Sequence, residues 1–303
     1  MARSEPDLSP ADVVVVGSVN VDLVFRVPHL PAAGETVIGA TFSRGPGGKG
    51  ANLAAAAAKL GGRVRFIGTV GVDDLAWEAR ADLEGAGVDA SQVGSRPVHT
   101  GVAGIFVDRG GENAIAVASG ANAELEPGFV REALAGIDVP HAVVAANLEI
   151  PDEAVATAAE VAAGRGWPFI LNPAPARAVE RSVLERCLVV AANEGEATAL
   201  GSVAALLAAG AGAVVVTRGP EGADLHRSGR SVHRQPSFPV DVVDTTGAGD
   251  AFCGALAWAV ADGRDLEGAV RLAAAAGALA CREVGARAGL PDRAEVERLA
   301  APV

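Results

Sequence analysis

The first uninterrupted apolar run spans residues 13–16 and ends at Gly17. A strand with one wet face would alternate, so this run predicts a strand buried on both faces at the centre of a parallel sheet. Comparable runs recur at 65–70, 142–146, 168–171, 188–190 and 213–216, each separated from the next by a helical pattern or an insertion. Repeated strand–helix units of this kind predict an α/β fold with a mostly parallel sheet between layers of helices. Two stretches break the rhythm, because they alternate apolar and polar residues and carry Pro31, Gly34 and Gly110-Gly111. They predict antiparallel strands inserted at about 21–43 and 98–118, a small sheet projecting from the carboxyl edge as a lid. An apolar face on that lid predicts a homodimer. With no long linker or repeat, the chain reads as a tail at 1–11 and one α/β domain over 12–303.

Composition narrows the partners. Half of the 303 residues are apolar, enough for a large core. Lys and Arg number 25 against 37 Asp and Glu, and the formal charge of −12 repels nucleic acid and anionic membranes. Any anionic ligand must then be held by local donors. Cys187, Cys253 and Cys281 are odd in number and far apart, without zinc spacing, and read as buried reduced thiols. Residues 1–11 carry Arg3, Glu5 and Asp7 with no apolar centre, which predicts a disordered tail rather than a signal peptide. The alanine-rich stretches 51–60 and 269–281 are too short or too interrupted to span a bilayer, and a cytoplasmic protein is expected.

Two glycine-rich segments carry the candidate chemistry. In the first, Gly45-Pro46-Gly47-Gly48-Lys49-Gly50-Ala51-Asn52 leads into the helical pattern 53–60, placing free N–H groups beside flexible backbone. Its letters satisfy G-x-G-x-x-G, but a dinucleotide fingerprint follows the first buried strand directly, and this one lies some thirty residues beyond it. A Walker loop fails as well, since Gly50 stands where Ser or Thr is required. A turn that merely lets helix and sheet pack closely is the plain alternative. The second segment, Asp244-Thr245-Thr246-Gly247-Ala248-Gly249-Asp250, precedes a small-residue helix that reads as buried. Amides at Gly247, Ala248 and Gly249, at a helix start, predict an anion hole for a transferring phosphoryl group. Asp250 beside it is placed to act as general base on a hydroxyl, although an acid at a helix start also serves as a cap.

Together the two segments resemble the paired signatures of the ribokinase or PfkB family of carbohydrate kinases. The similarity runs from about 13 to 299. It passes through Gly17-Ser18-Val19-Asn20-Val21-Asp22, Gly34-Glu35-Thr36, Thr100-Gly101-Val102-Ala103, Gly120-Ala121-Asn122, Leu171-Asn172-Pro173-Ala174-Pro175-Ala176 and Asn193-Glu194-Gly195-Glu196. It implies a ribokinase-like three-layer α/β/α fold with a small β-sheet lid. It also implies that Asn20, Asp22, Gly48, Lys49, Gly50, Asn52, Glu149 and Asp250 bind the sugar, whose vicinal hydroxyls suit Asn and Asp side chains. Taken alone, Asn20 and Asp22 also read as turn chemistry, and Glu149 as a solvated acid. For ATP the resemblance points to Asn193, Thr217, Arg218, Gly219, Pro220, Glu221, Gly222 and Gly249. Glu196 completes an N-x-x-E motif tied to Mg2+ through water, or else Glu194 and Glu196 cap a helix. A potassium site is implied at Asp244, Thr246, Ala280, Glu283, Gly285 and Gly289. The chain departs from relatives at Glu283, where a basic residue is common, at Gly289, where serine is, and at Ala274, where His or Asn packs near adenine.

The resulting expectation is an ATP-dependent kinase that phosphorylates the 5-hydroxyl of D-ribose, with Asp250 as base. Kinases for 2-deoxyribose, a ketose such as fructose, or a nucleoside share the same machinery. A nicotinamide oxidoreductase using residues 45–50 is disfavoured by the motif's position. A sugar-binding regulator is disfavoured by the retained Asp250 and its glycines.

Overall fold

A computed structural model of the chain describes residues 11–301. Of the predicted tail, residues 1–10 lie outside the described residues, while Ala11 is buried and its carbonyl accepts from the Arg63 amide at 2.9 Å. Ala11, placed in the tail by the polar pattern, is therefore part of the packed domain.

The strands are β1 (Asp12–Val16), β2 (Asn20–Arg26), β3 (Thr41–Gly47), β4 (Arg63–Val70), β5 (Val93–Ser95), β6 (Gly101–Val107), β7 (Asn113–Ala118), β8 (Val143–Asn147), β9 (Phe169–Asn172), β10 (Cys187–Asn193), β11 (Val214–Thr217), β12 (Ala223–His226) and β13 (His233–Gln235). The helices are α1 (Lys49–Lys59), α2 (Asp74–Gly85), α3 (Pro127–Ala135), α4 (Asp152–Gly164), α5 (Arg181–Leu184), α6 (Glu194–Ala199), α7 (Val203–Ala208), α8 (Ala248–Ala261), α9 (Leu266–Ala280) and α10 (Arg293–Leu299).

Nine strands form one sheet in the order β13-β12-β11-β10-β9-β8-β1-β4-β5. It is parallel from β5 to β11, and β12 and β13 join antiparallel at one edge. β1 lies inside it, with Val13 opposite both Val64 and Val143. The four valines of β1 are fully buried and divide by parity between two apolar layers. Val13 and Val15 pack with side chains of α1, α8 and α9, and Val14 and Val16 with those of α3 and α4. Period-2 geometry thus turns one apolar run into the middle layer of three. Each such valine contributes roughly 1.5–3 kcal/mol of burial. Alanines on α1, α8 and α9 let these helices approach closely. Among the described residues no helix is long and apolar enough to cross a membrane.

The lid is a four-stranded sheet in the order β3-β2-β6-β7. The expectation of a wholly antiparallel lid is corrected at its centre, where β2 and β6 run parallel with Asn20 opposite Gly101. Both strands leave the same carboxyl edge of the main sheet, β2 after β1 and β6 after β5, so they run in one direction. Residues 27–40 contain no strand. A second correction concerns the glycine segment: β3 continues through Gly47, and α1 starts at Lys49 rather than at Leu53. Gly50, Ala51 and Asn52 are therefore in the first turn of the helix. On the lid, Phe42, Ile115 and Val117 are exposed, and Phe25 stacks on Phe106 and packs at a tilt against Phe42.

Candidate active site

Polar residues end the buried parallel strands at their carboxyl edge: Ser18 just past β1, Asn147 on β8, Asn172 on β9, Asn193 on β10 and Thr217 on β11. An α/β sheet presents ligand sites at this edge. A cavity of about 200 Å³ opens there, lined by Lys49, Asn172, Asn193, Glu196, Thr217, Gly247, Gly249, Asp250 and Cys253 among others. A second, of about 400 Å³, is lined by Asn20, Asn122, Glu149 and Arg177 with neighbouring apolar groups. Of the residues singled out from sequence, Lys49, Asn193, Glu196, Thr217, Gly247, Gly249 and Asp250 line the smaller hollow, and Asn20 and Glu149 the larger.

Asp250 lies in the first turn of α8 and is buried, and its Oδ2 accepts from Asn52 Nδ2 at 2.9 Å. Burial pushes its carboxyl above the ordinary carboxylate range, with Lys49 and the Asn52 bond pulling the other way. In turn, Asp250 holds the Lys49 ammonium above its usual value. At the helix start, Gly247 is left-handed, with φ 77°, and backs onto Ala286. The anion-hole expectation is corrected at Ala248, whose amide already donates to the Thr245 carbonyl at 3.2 Å. Among the described residues the amides of Gly249 and Asp250 have no backbone acceptor, and a Cβ on Gly249 would meet nothing within 4 Å. These two amides and that of Gly247, for which no acceptor is found among the described residues either, are the donors left for an anion, with the helix dipole behind them.

On the lid side, Asn20 is buried and its Oδ1 accepts from Asn122 Nδ2 at 2.7 Å. Asp22 lies over Gly47, so close that a Cβ there would sit 1.8 Å from its Oδ1. Burial and then the Glu149 charge push Asp22 up to about 7. Glu149 is not a solvated loop acid: its Oε2 accepts from Ser18 Oγ at 2.5 Å and from the Lys49 amide at 3.0 Å. It thereby caps the N-terminus of α1 from another part of the chain.

Gly48 must be glycine. Its φ is 86°, and a Cβ would come within 2.8 Å of backbone atoms of Ser18, Val19 and Asn20. Gly48→Ala is expected to cost about 3 kcal/mol, read as a lower urea midpoint at unchanged slope, because the clash is with backbone that cannot move aside.

Asn193 and Glu196 form a reciprocal capping box on α6, with bonds of 2.8 and 2.9 Å, so the helix-cap alternative is realised in this pair while both still line the smaller cavity. Thr217 also faces that cavity. Arg218 pairs with Glu221 at 2.7 Å, and Gly219, Pro220 and Glu221 form a short 3-10 turn ending at Gly222. At the opposite flank, Asp244 accepts from Thr246 through N and Oγ1 and from the Gly285 amide at 2.9 Å. Ala280 ends α9, Glu283 is exposed, and Gly289 packs on the Ala280 carbonyl. Cys187, Cys253 and Cys281 are buried and unpaired. No motif or spacing in the sequence marks Arg287, whose guanidinium reaches Asn52 Oδ1 at 2.8 Å.

Residues 10–293 match the pfkB family carbohydrate kinase model. The chain is 39% identical to the ribokinase of Bacillus subtilis over 294 residues, covering 95% of this chain and 99% of that one. It is 34% identical to the deoxyribokinase of Salmonella typhi, covering 93% and 96%. Among solved structures, Arabidopsis thaliana ribokinase complexed with ribose and ATP superposes with a TM-score of 0.86 at 31% identity, over 97% of this chain and 100% of that one. Ribokinase from Thermotoga maritima does so with 0.87 at 33%, over 95% and 99%.

Proposed function

The chain belongs to the pfkB family of carbohydrate kinases, and from that premise we propose that it transfers the γ-phosphoryl group of ATP to the 5-hydroxyl of D-ribose. One observation carries the reading: a buried carboxylate, Asp250, shares the wall of a cavity with the open amides that start its own helix.

In the reaction, Asp250 takes the proton of the sugar hydroxyl as that oxygen bonds to the γ-phosphorus and the bond to the ADP oxygen breaks. Its raised proton affinity suits it to the task. The amides of Gly249 and Asp250, assisted by Gly247, meet the charge that builds on the transferring group. Lys49, beside Asp250 in the cavity, adds a positive charge. Asn20, Asp22, Glu149 and Asn52, with the Gly48-Lys49-Gly50 backbone, orient the sugar. The ATP phosphates and nucleoside lie along Asn193, the Thr217, Arg218, Gly219, Pro220, Glu221 and Gly222 loop, and Gly249, where the absent side chain leaves room.

Among the described residues no cluster of three or more His, Cys, Asp or Glu side chains is arranged to cage a metal. That fits a magnesium ion held mainly by phosphates and water. Glu196, with one carboxylate oxygen left after its capping bond, would approach it through water; the ion neutralises phosphate charge when bound. Potassium activation is proposed at Asp244, whose carboxylate retains an acceptor position, with Thr246, Ala280 and Gly285, and with Glu283 and Gly289 nearby. Exposed Phe42, Ile115 and Val117 favour a homodimer through the lid. Buried unpaired thiols favour a cytoplasmic protein, and the −12 charge argues against nucleic-acid or membrane partners.

The test is ATP-dependent phosphorylation of D-ribose, 2-deoxyribose, fructose and adenosine, with magnesium and with or without potassium. Ribose is expected to lead 2-deoxyribose at least about 100-fold in kcat/KM, because a site built to pair a hydroxyl leaves polar groups unpaired when it is missing. The deoxyribokinase relative supports a second reading, and comparable or better use of 2-deoxyribose would establish it. No transfer to any acceptor would leave a sugar-binding regulator.

A further inference from the structure

Arg287 lies in the turn between α9 and α10 and bonds to two elements around the site. Its Nε donates to Asn52 Oδ1 on α1 at 2.8 Å, and its Nη2 donates to the Gly47 carbonyl at the end of lid strand β3 at 3.3 Å. Its Nη1 is sealed from solvent and has no acceptor. Burial holds the guanidinium down to about 10, against the charges of Asp82 on α2, Asp22 on β2 and Asp250 on α8, which pull it the other way. It remains charged at neutral pH.

The chemistry of these groups fixes an orientation. A guanidinium only donates, so the end of the Asn52 amide that faces Arg287 has to be the oxygen. The NH2 end then faces Asp250, where it donates to Oδ2 at 2.9 Å. Arg287 and Asp250 favour the same orientation from the two ends of the amide, and without Arg287 the amide is held from one end only, so that it and the carboxylate it bonds are less firmly placed. The Gly47 contact matters for a second reason: Gly47 is the residue over which the Asp22 carboxylate rests. One arginine thus contacts both the residue that holds the base and the strand end that seats a sugar ligand.

We propose that Arg287 is a positioning residue of the kinase reaction, orienting Asn52 so that it holds the Asp250 carboxylate in place, and tying that contact to the lid through Gly47. The inference rests on the kinase reading above. A purely structural arginine would affect stability and leave turnover by the folded enzyme unchanged.

The experiment is a double-mutant cycle on the full-length chain with Arg287→Met, Asn52→Ala and the pair, adding Arg287→Gln as the variant that keeps an amide donor. Turnover, both KM values and the melting temperature are measured on each protein. R287M is expected to lower kcat about 100-fold, the scale on which slight misplacement of a catalytic group acts, with KM for ATP within about threefold. R287Q should regain activity to within about tenfold of the parent. The pair should be no slower than N52A alone, because Arg287 acts through Asn52. Unchanged kcat in R287M with only a lower melting temperature overturns the proposal, as do additive losses in the pair. Hydrogen exchange of the Asn52 side-chain amide, followed by NMR, reads the same link without turnover. Faster exchange in R287M, with R287Q closer to the parent, supports the link even in a chain that phosphorylates nothing, where the kinase reading alone would have failed. Equal exchange in R287M and the parent overturns it, and where R287M does not fold, Arg287→Ala is the variant compared in the same way.

Discussion

Asp250→Asn is expected to lower kcat by about 10³-fold or more while both KM values stay within about threefold, the pattern of an interaction made only in the transition state. The substitution keeps the size of the side chain and removes its basicity. The new side-chain amide can still present an oxygen to Asn52 Nδ2, so the hydrogen bond that holds the group survives. The fold should not suffer. Asp250 is buried, and burial holds its carboxyl above the ordinary range, so its ionised form is a cost to the folded state at neutral pH. A neutral amide relieves that cost, and thermal melting at pH 8 should show a midpoint equal to or above the parent's. In the parent, kcat/KM should fall on the acid side as the base is protonated, at a pH above that of a freely exposed aspartate. Turnover within tenfold of the parent in the Asn variant would assign the proton to another acceptor.

The main sheet was legible because burial on both faces leaves a mark that survives without tertiary knowledge. Residues 13–16 are apolar throughout for the same reason that Val13 and Val14 end in different layers. The direction of the lid strands was not legible. Alternation in β2 and β6 says that one face is covered, and says nothing of the neighbour's direction, which follows from where both strands leave the main sheet. The start of α1 was misplaced for a local reason. Glycine at Gly50 argues against a helix on propensity, and the helix begins there because Glu149, about a hundred residues away, accepts from the Lys49 amide. Asp250 and its glycines were legible as a motif, since small residues before an apolar helix have few other uses. Arg287 was not. Nothing in Gly285-Ala286-Arg287-Ala288-Gly289 marks the arginine, because the groups its guanidinium bonds, Asn52 on α1 and Gly47 at the end of β3, come from distant parts of the chain.

Asp22→Asn is expected to separate binding from stability, moving them in opposite directions. Among the described residues no donor is bonded to the Asp22 carboxylate, which rests over Gly47 with the Glu149 charge nearby. Burial and that like charge push it up to about 7, partly offset by Arg287 and Lys49. Such a carboxyl keeps its proton in the folded chain while the unfolded chain loses it near pH 4, so folding stability falls as pH rises from about 4 to about 7 and stays low beyond. Removing the charge removes that fall. D22N should match the parent near pH 4 and exceed it by on the order of 2 kcal/mol at pH 8, measured by urea unfolding across the range; the full shift would imply about twice that, and partial access of water reduces it. The substrate side moves the other way. A carboxylate accepts from two vicinal hydroxyls at once, whereas an amide offers one acceptor and one donor, so kcat/KM for ribose should drop about 100- to 1000-fold, mostly through KM. A variant that is no more stable at pH 8 would show that water solvates Asp22 in the folded chain. One that binds ribose as well as the parent would move the sugar ligand to another residue. A group left unpaired at a cost to the fold, and needed by the substrate, is what a binding site requires and a core does not.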